Sequence, residues 1–87
     1  MHEQSLMNDL MNKILSLAEK ENASRVTKIS VKLGALSHLS PQHFKEHFDI
    51  AAKGTIAENA ILDTEESYNL NDPHAQSILL KSIDVAD

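Results

Sequence analysis

Val26-Thr27-Lys28-Ile29-Ser30-Val31-Lys32-Leu33-Gly34-Ala35-Leu36 is an alternating stretch. Ile29, Val31 and Leu33 fall on one side, and Lys28, Ser30 and Lys32 on the other. That pattern predicts a strand over 26–36 with one buried face and one wet face. Gly34, near its end, permits a bend or a close approach of another backbone.

The flanking segments supply the cover for the buried face. Upstream, Leu6, Leu10, Ile14, Leu17 and Ala18 recur at three- and four-residue steps, with Met7 and Met11 widening the stripe. This predicts a helix over 4–22, stopped by Asn22-Ala23-Ser24. Downstream, Ser40-Pro41 predicts the start of a second helix, because serine is a good N-cap and proline suits the first helical position. Phe44, Phe48, Ala51 and Ala52 form its apolar stripe, and Gly54 is its natural stop.

Residues 60–68 read as a polar strand with Ala60, Leu62 and Thr64 on its better face. Asp63 and Glu65 point outward, which suits a sheet edge. Leu70-Asn71-Asp72-Pro73 is turn chemistry. Residues 77–85 are the most apolar strand. Ile78 and Leu80 share one phase, and Ile83 and Val85 the opposite one. A bulge near Lys81-Ser82 would return all four to one face. The alternative, a strand covered on both faces, needs more cover than 87 residues can readily supply.

The order helix, strand, helix, strand, strand predicts an α/β chain of the α+β two-layer kind. Its three-stranded mixed sheet has both helices on one face. The most apolar strand, the last, is expected in the centre, paired with 60–68 as an antiparallel hairpin. The first two strands are then parallel edges joined by the second helix, a split β-α-β unit. Residues 1–87 form a single domain, with no repeat and no linker.

Composition narrows the function. Thirteen acidic and eight basic residues give a formal net charge of −5, and no Lys/Arg cluster stands out. Nucleic acid and anionic membranes are therefore not expected partners. No apolar run is long enough to span a bilayer. The start, Met1-His2-Glu3-Gln4, lacks a basic-then-apolar signal pattern, so a cytoplasmic location is expected. The chain has no cysteine, which excludes disulfides, thiolate nucleophiles and cysteine-based zinc sites. No Ser-His-Asp order, phosphate loop or isolated carboxylate pair is present. Glu65 and Glu66 are adjacent on a strand and point to opposite faces. An enzyme is not expected.

Several stretches together resemble the HypA/HybF family of hydrogenase nickel-incorporation proteins. They are Met1-His2-Glu3 with Ser5-Leu6; Arg25-Val26-Thr27-Lys28-Ile29 running to Leu33-Gly34-Ala35-Leu36-Ser37; and Phe48, Lys53-Gly54-Thr55, Ala57-Glu58 and Ala60. Lys81-Ser82-Ile83-Asp84-Val85 resembles the family's closing strand. The chain departs from the family in one place. Members carry a zinc domain with paired Cys-x-x-Cys motifs between their last two strands, whereas here the interval is the cysteine-free stretch Tyr68–Gln76. The resemblance implies a single nickel-binding domain over 1–87, Ni(II) as cargo and no zinc. It also implies a HypB-type GTPase and the hydrogenase large subunit as partners; the oligomeric state stays open.

The N-terminus has chemistry of its own to support nickel. The free amine of Met1, the backbone nitrogen of His2 and the His2 imidazole Nδ1 can close two fused chelate rings. Ni(II) favours square-planar nitrogen ligation, and the backbone nitrogen of Glu3 can complete the plane. The resemblance carries the family's nickel role onto Met1, His2 and Glu3. Glu3 can also offer its carboxylate or orient the imidazole. Without that context, the same three residues read as an ordinary tail.

Four further histidines need weighing. His38 lies in the loop after the first strand, and Ser40 stands where some relatives carry an extra acidic ligand. His38 could replace that ligand; the plainer reading is an exposed loop histidine. His43 and His47, four apart on the second helix, share a face and have a spacing that can bind metal. The plainer reading has His47 packing beside the phenylalanine stripe and His43 solvated. His74 reads as a turn residue. Two functions compete: a nickel metallochaperone for [NiFe]-hydrogenase or urease maturation, and a protein-interaction module that keeps the fold without metal delivery.

Overall fold

The structure is a computed structural model that describes residues 3–37 and 39–87, with the backbone alone for Glu3. The elements are α1 (Glu3–Lys20), β1 (Arg25–Leu33), α2 (Pro41–Ala52), β2 (Ile61–Glu66) and β3 (Ile78–Ala86). They form the expected two layers, a three-stranded mixed sheet beneath two helices. α1 packs on β3 and α2, and α2 also packs on β2.

In α1 the buried stripe is Met7, Leu10, Met11, Ile14 and Ala18, while Leu17 is 40% exposed. At 3.6 residues per turn, Met11, Ile14 and Ala18 fall within about 40° of Met7, and Leu17 lies about 80° away at the margin. The helix ends in a Schellman motif. Asn22 adopts the left-handed conformation at φ 53°. Ala23 N–H donates to Ala18 O and Asn22 N–H to Glu19 O, both at 3.0 Å, which satisfies carbonyls that the last turn would otherwise orphan.

α2 starts as its sequence directs. Ser40 is in extended conformation and its Oγ accepts from His43 N–H at 3.1 Å, with Pro41 following in the first turn. Phe44, Phe48 and Ala52 are buried. Gly54, at φ 82°, turns the chain away after the helix.

The expected sheet order is corrected by the structure. The last strand is not central: the order is β2-β1-β3, with β1 in the middle. β1 runs parallel to β2 and antiparallel to β3. The β1–α2–β2 segment therefore joins adjacent parallel strands, and β2 and β3 form no hairpin. Burial explains the order. Val26, Ile29, Val31 and Leu33 of β1 are each at most 1% exposed, because neighbours flank them on both sides. β3 is richer in apolar residues, but Leu79 lies on its open face, 44% exposed.

The bulge expected near Lys81-Ser82 is present. Ser30 pairs with Ser82 and Val31 with Leu80, so Lys81 is the extra residue. Ile78, Leu80, Ile83 and Val85 consequently all lie opposite buried residues of β1: Leu33, Val31, Ile29 and Val26. Partners directly opposite on antiparallel strands share a face, so the phase change in the sequence is absorbed.

Residues 67–77 cross the end of β1 to connect one sheet edge to the other. Ser67 N–H donates to Leu33 O, Leu36 N–H to Ala75 O at 2.7 Å and Gly34 N–H to Ser77 O at 2.9 Å. Gly34 makes this approach possible, since a Cβ there would stand 2.6 Å from the carbonyl carbon of Ala75 and 2.7 Å from His74 O.

Candidate metal site

Met1, His2 and His38 lie outside the described residues, as does the side chain of Glu3. The structure does describe the framework on either side of them. α1 begins at Glu3, and by its second turn Met7 and Leu10 are locked in the core at 2% and 3% exposure. The first described turns of α1 are thus anchored in the core. Residue 38 is bracketed by two buried neighbours, Ser37 and Leu39. Ser37 Oγ donates to Gly34 O at 2.8 Å, which ties this loop to the end of β1. Beside it an open groove of about 370 Å³ is lined by Leu33, Leu39, Ser40, Glu66, Tyr68 and Leu70. It lies beyond the C-terminal ends of the two parallel strands, a common place for binding sites in sheets of this kind.

The remaining candidates are fully described. His74 is a turn residue, as expected: its N–H donates to Asp72 Oδ1 at 2.8 Å. His43 is exposed and His47 half-buried on α2, with ring centroids 5.0 Å apart. That ring-to-ring approach is a feature that spacing alone left undecided. Glu65 accepts from Lys81 Nζ at 2.9 Å and lies 4.0 Å from Lys32 Nζ on the open sheet face. The hydrogen bond from Lys81, then its charge, holds the Glu65 carboxyl below its ordinary value and raises Lys81 in turn. Among the described residues no group of three or more His, Cys, Asp or Glu is arranged to hold a metal ion.

The fold has solved counterparts. The chain superposes on the solution structure of the Ni metallochaperone HypA from Helicobacter pylori with a TM-score of 0.77. That alignment covers 99% of this chain and 98% of the other at 18% sequence identity, a likeness of fold. A second solution structure of a HypA protein gives 0.73. The sequence profile described as hydrogenase/urease nickel incorporation, metallochaperone, hypA matches residues 1–70.

The chain belongs to the HypA family. It is similar to the hydrogenase maturation factors HypA of Archaeoglobus fulgidus and Methylocella silvestris. The first is 38% identical over 63 residues, which is 72% of this chain and 57% of that protein. The second is 40% identical over 65 residues, 75% of this chain and 58% of that protein. The chain therefore spans a little more than half the length of these relatives. The profile match ends at residue 70, within the crossing segment between β2 and β3. That is the interval in which the family resemblance places a cysteine-bearing zinc domain, and this chain has no cysteine to build one.

Proposed function

We propose that this protein is a nickel-binding accessory factor for the maturation of [NiFe]-hydrogenase or urease, with Ni(II) as cargo rather than as a resident cofactor. The observation that carries the reading is the family match, which begins at residue 1 and so includes Met1-His2-Glu3. In a chain with a free Met1 amine, that amine, the backbone nitrogens of His2 and Glu3 and the His2 imidazole supply four nitrogens in a plane, the arrangement Ni(II) prefers. Glu3 can orient the imidazole or add an oxygen. His38 is the further ligand within this proposal.

A HypB-type GTPase and the large subunit of the hydrogenase are the partners proposed with it, and the compartment proposed is the cytoplasm. The work is delivery rather than catalysis. No helix is long and apolar enough to cross a membrane among the described residues. The reading of the chain as an interaction module without metal is not favoured by any of these observations.

The test is a titration of Ni(II) into protein with a native, untagged N-terminus. The expected result is one ion per chain, yellow and diamagnetic, lost in His2→Ala. An N-terminal tag should abolish it as well, because it removes the free amine. Equal nickel binding by His2→Ala and the parent would put the site elsewhere.

A further inference from the structure

α2 carries a pair of histidines that the N-terminal nickel reading does not use. His43 and His47 are four residues apart, so both project from one helix face. Their rings stand 5.0 Å apart, centroid to centroid, at an interplanar angle of 50°. The backbone beneath them is set before any ligand arrives. Ser40 caps the helix, Pro41 stiffens its first turn, and Phe44 and Phe48 are sunk in the core at 0% and 1% exposure. The two imidazoles therefore stand side by side on one anchored helix face, within reach of a single ion.

We propose that His43 and His47 form a second binding site, for a divalent transition cation of the nickel, copper and zinc class. Imidazole suits these borderline cations, whereas magnesium and calcium take oxygen ligands. The same four-residue spacing brings two helix histidines onto one zinc ion in the metalloprotease helix. Here the pair supplies two neighbouring coordination positions and water fills the rest. No third ligand completes a cluster among the described residues. Asp49, on the same helix, is engaged by Lys45 at 2.7 Å. A surface site with two protein ligands, one exposed and one half-buried, loads and unloads readily, so it serves transient capture rather than structural binding. This inference does not depend on the N-terminal reading.

The experiment uses the full chain carrying His2→Ala, which removes the N-terminal chelate. Cu(II) and Ni(II) are titrated by calorimetry, and the histidine ring signals are followed by NMR. The expected result is one ion per chain, with the ring signals of His43 and His47 perturbed together. Adding His43→Ala or His47→Ala should weaken binding roughly a hundredfold, because the second imidazole no longer binds intramolecularly. His74→Ala should leave it unchanged, and Mg(II) should not compete.

Circular dichroism establishes that each variant keeps its helices. Should either replacement disturb them, His43→Gln and His47→Gln on the same background supply the comparison. No binding by the His2→Ala chain, or binding indifferent to both α2 histidines, would overturn the proposal. Neither outcome touches the N-terminal reading, which stands or falls on the parent against His2→Ala.

Discussion

Gly34→Ala is the sharpest single test of how β3 is reached. The new Cβ would meet backbone, 2.6 Å from the Ala75 carbonyl carbon and 2.7 Å from His74 O. Relief requires residues 74–77 and the end of β1 to part by about 1 Å, toward the ordinary carbon–carbon separation of 3.5–4.0 Å. Such a movement stretches the Leu36–Ala75 and Gly34–Ser77 hydrogen bonds, now 2.7 and 2.9 Å. Overpacking costs about 1–3 kcal/mol, and each weakened backbone bond adds up to about 1 kcal/mol. The expected loss is about 3 kcal/mol, enough to lower Tm by more than about 10 °C in a domain of this size. Urea and thermal unfolding measure it. Gly54→Ala is the matched control. That position has φ 82° but nothing within 4 Å of the added carbon, so only left-handed strain remains, about 1 kcal/mol. If Gly34→Ala unfolds no more easily than Gly54→Ala, the crossing is not close-packed and the account of the β2–β3 connection fails.

Ser40→Ala should destabilise the domain by about 1 kcal/mol, because His43 N–H loses its acceptor; a change within error in urea unfolding would show that water replaces the cap. The Glu65–Lys81 pair should act within a pH window set by two opposite shifts. Glu65 lies below its ordinary value, so its contribution is present above the usual carboxylate range and lost as pH falls through the lowered value. Lys81 is raised, so its contribution is present below the usual lysine range and lost as pH rises through the raised value. Glu65→Gln should flatten the acid limb of Tm against pH at low salt, and an unchanged slope would count against the pair. EDTA should leave Tm of the protein as purified unchanged, since the core requires no thiolate site; a fall on chelation would reveal a structural metal.

The layers, elements and caps were legible because each rests on local rules. Ser40-Pro41 starts α2, Asn22 stops α1, and the phase change at Lys81-Ser82 marks a bulge. Sheet order was not legible, because it depends on which strand is flanked on both edges. Counting apolar residues favoured β3, yet one of them, Leu79, lies on the open face. The better signal was the alternation of β1 from Lys28 to Leu33, where Ile29, Val31 and Leu33 are buried while Lys28, Ser30 and Lys32 occupy the other face. Asn69, Asn71 and Asp72 do make turns, with Asn71 and His74 N–H donating to the side chains of Asn69 and Asp72. Turn chemistry reports that the chain reverses, however, and not which edge it returns to. Gly34 carried that information, since a glycine at a strand end allowed another backbone to approach.

The candidate nickel ligands rest on a different kind of argument. An amine, two amides and an imidazole at the start of a chain form a chelate through covalent connectivity alone, so no folded cavity is needed to recognise it. His43 and His47 are the opposite case. Their spacing is compatible with packing, solvation or metal binding, and the 5.0 Å approach of their rings on an anchored helix is the observation on which the metal proposal rests. The two sets also differ in what folding contributes. α1 begins at Glu3 and its next turns are locked by Met7 and Leu10, while α2 carries its pair with His43 exposed and His47 half-buried. A metallochaperone must hold its cargo and also release it. The proposed division assigns tight square-planar capture to the N-terminus, where leaving requires reprotonating amides, and rapid exchange to a site that water already shares.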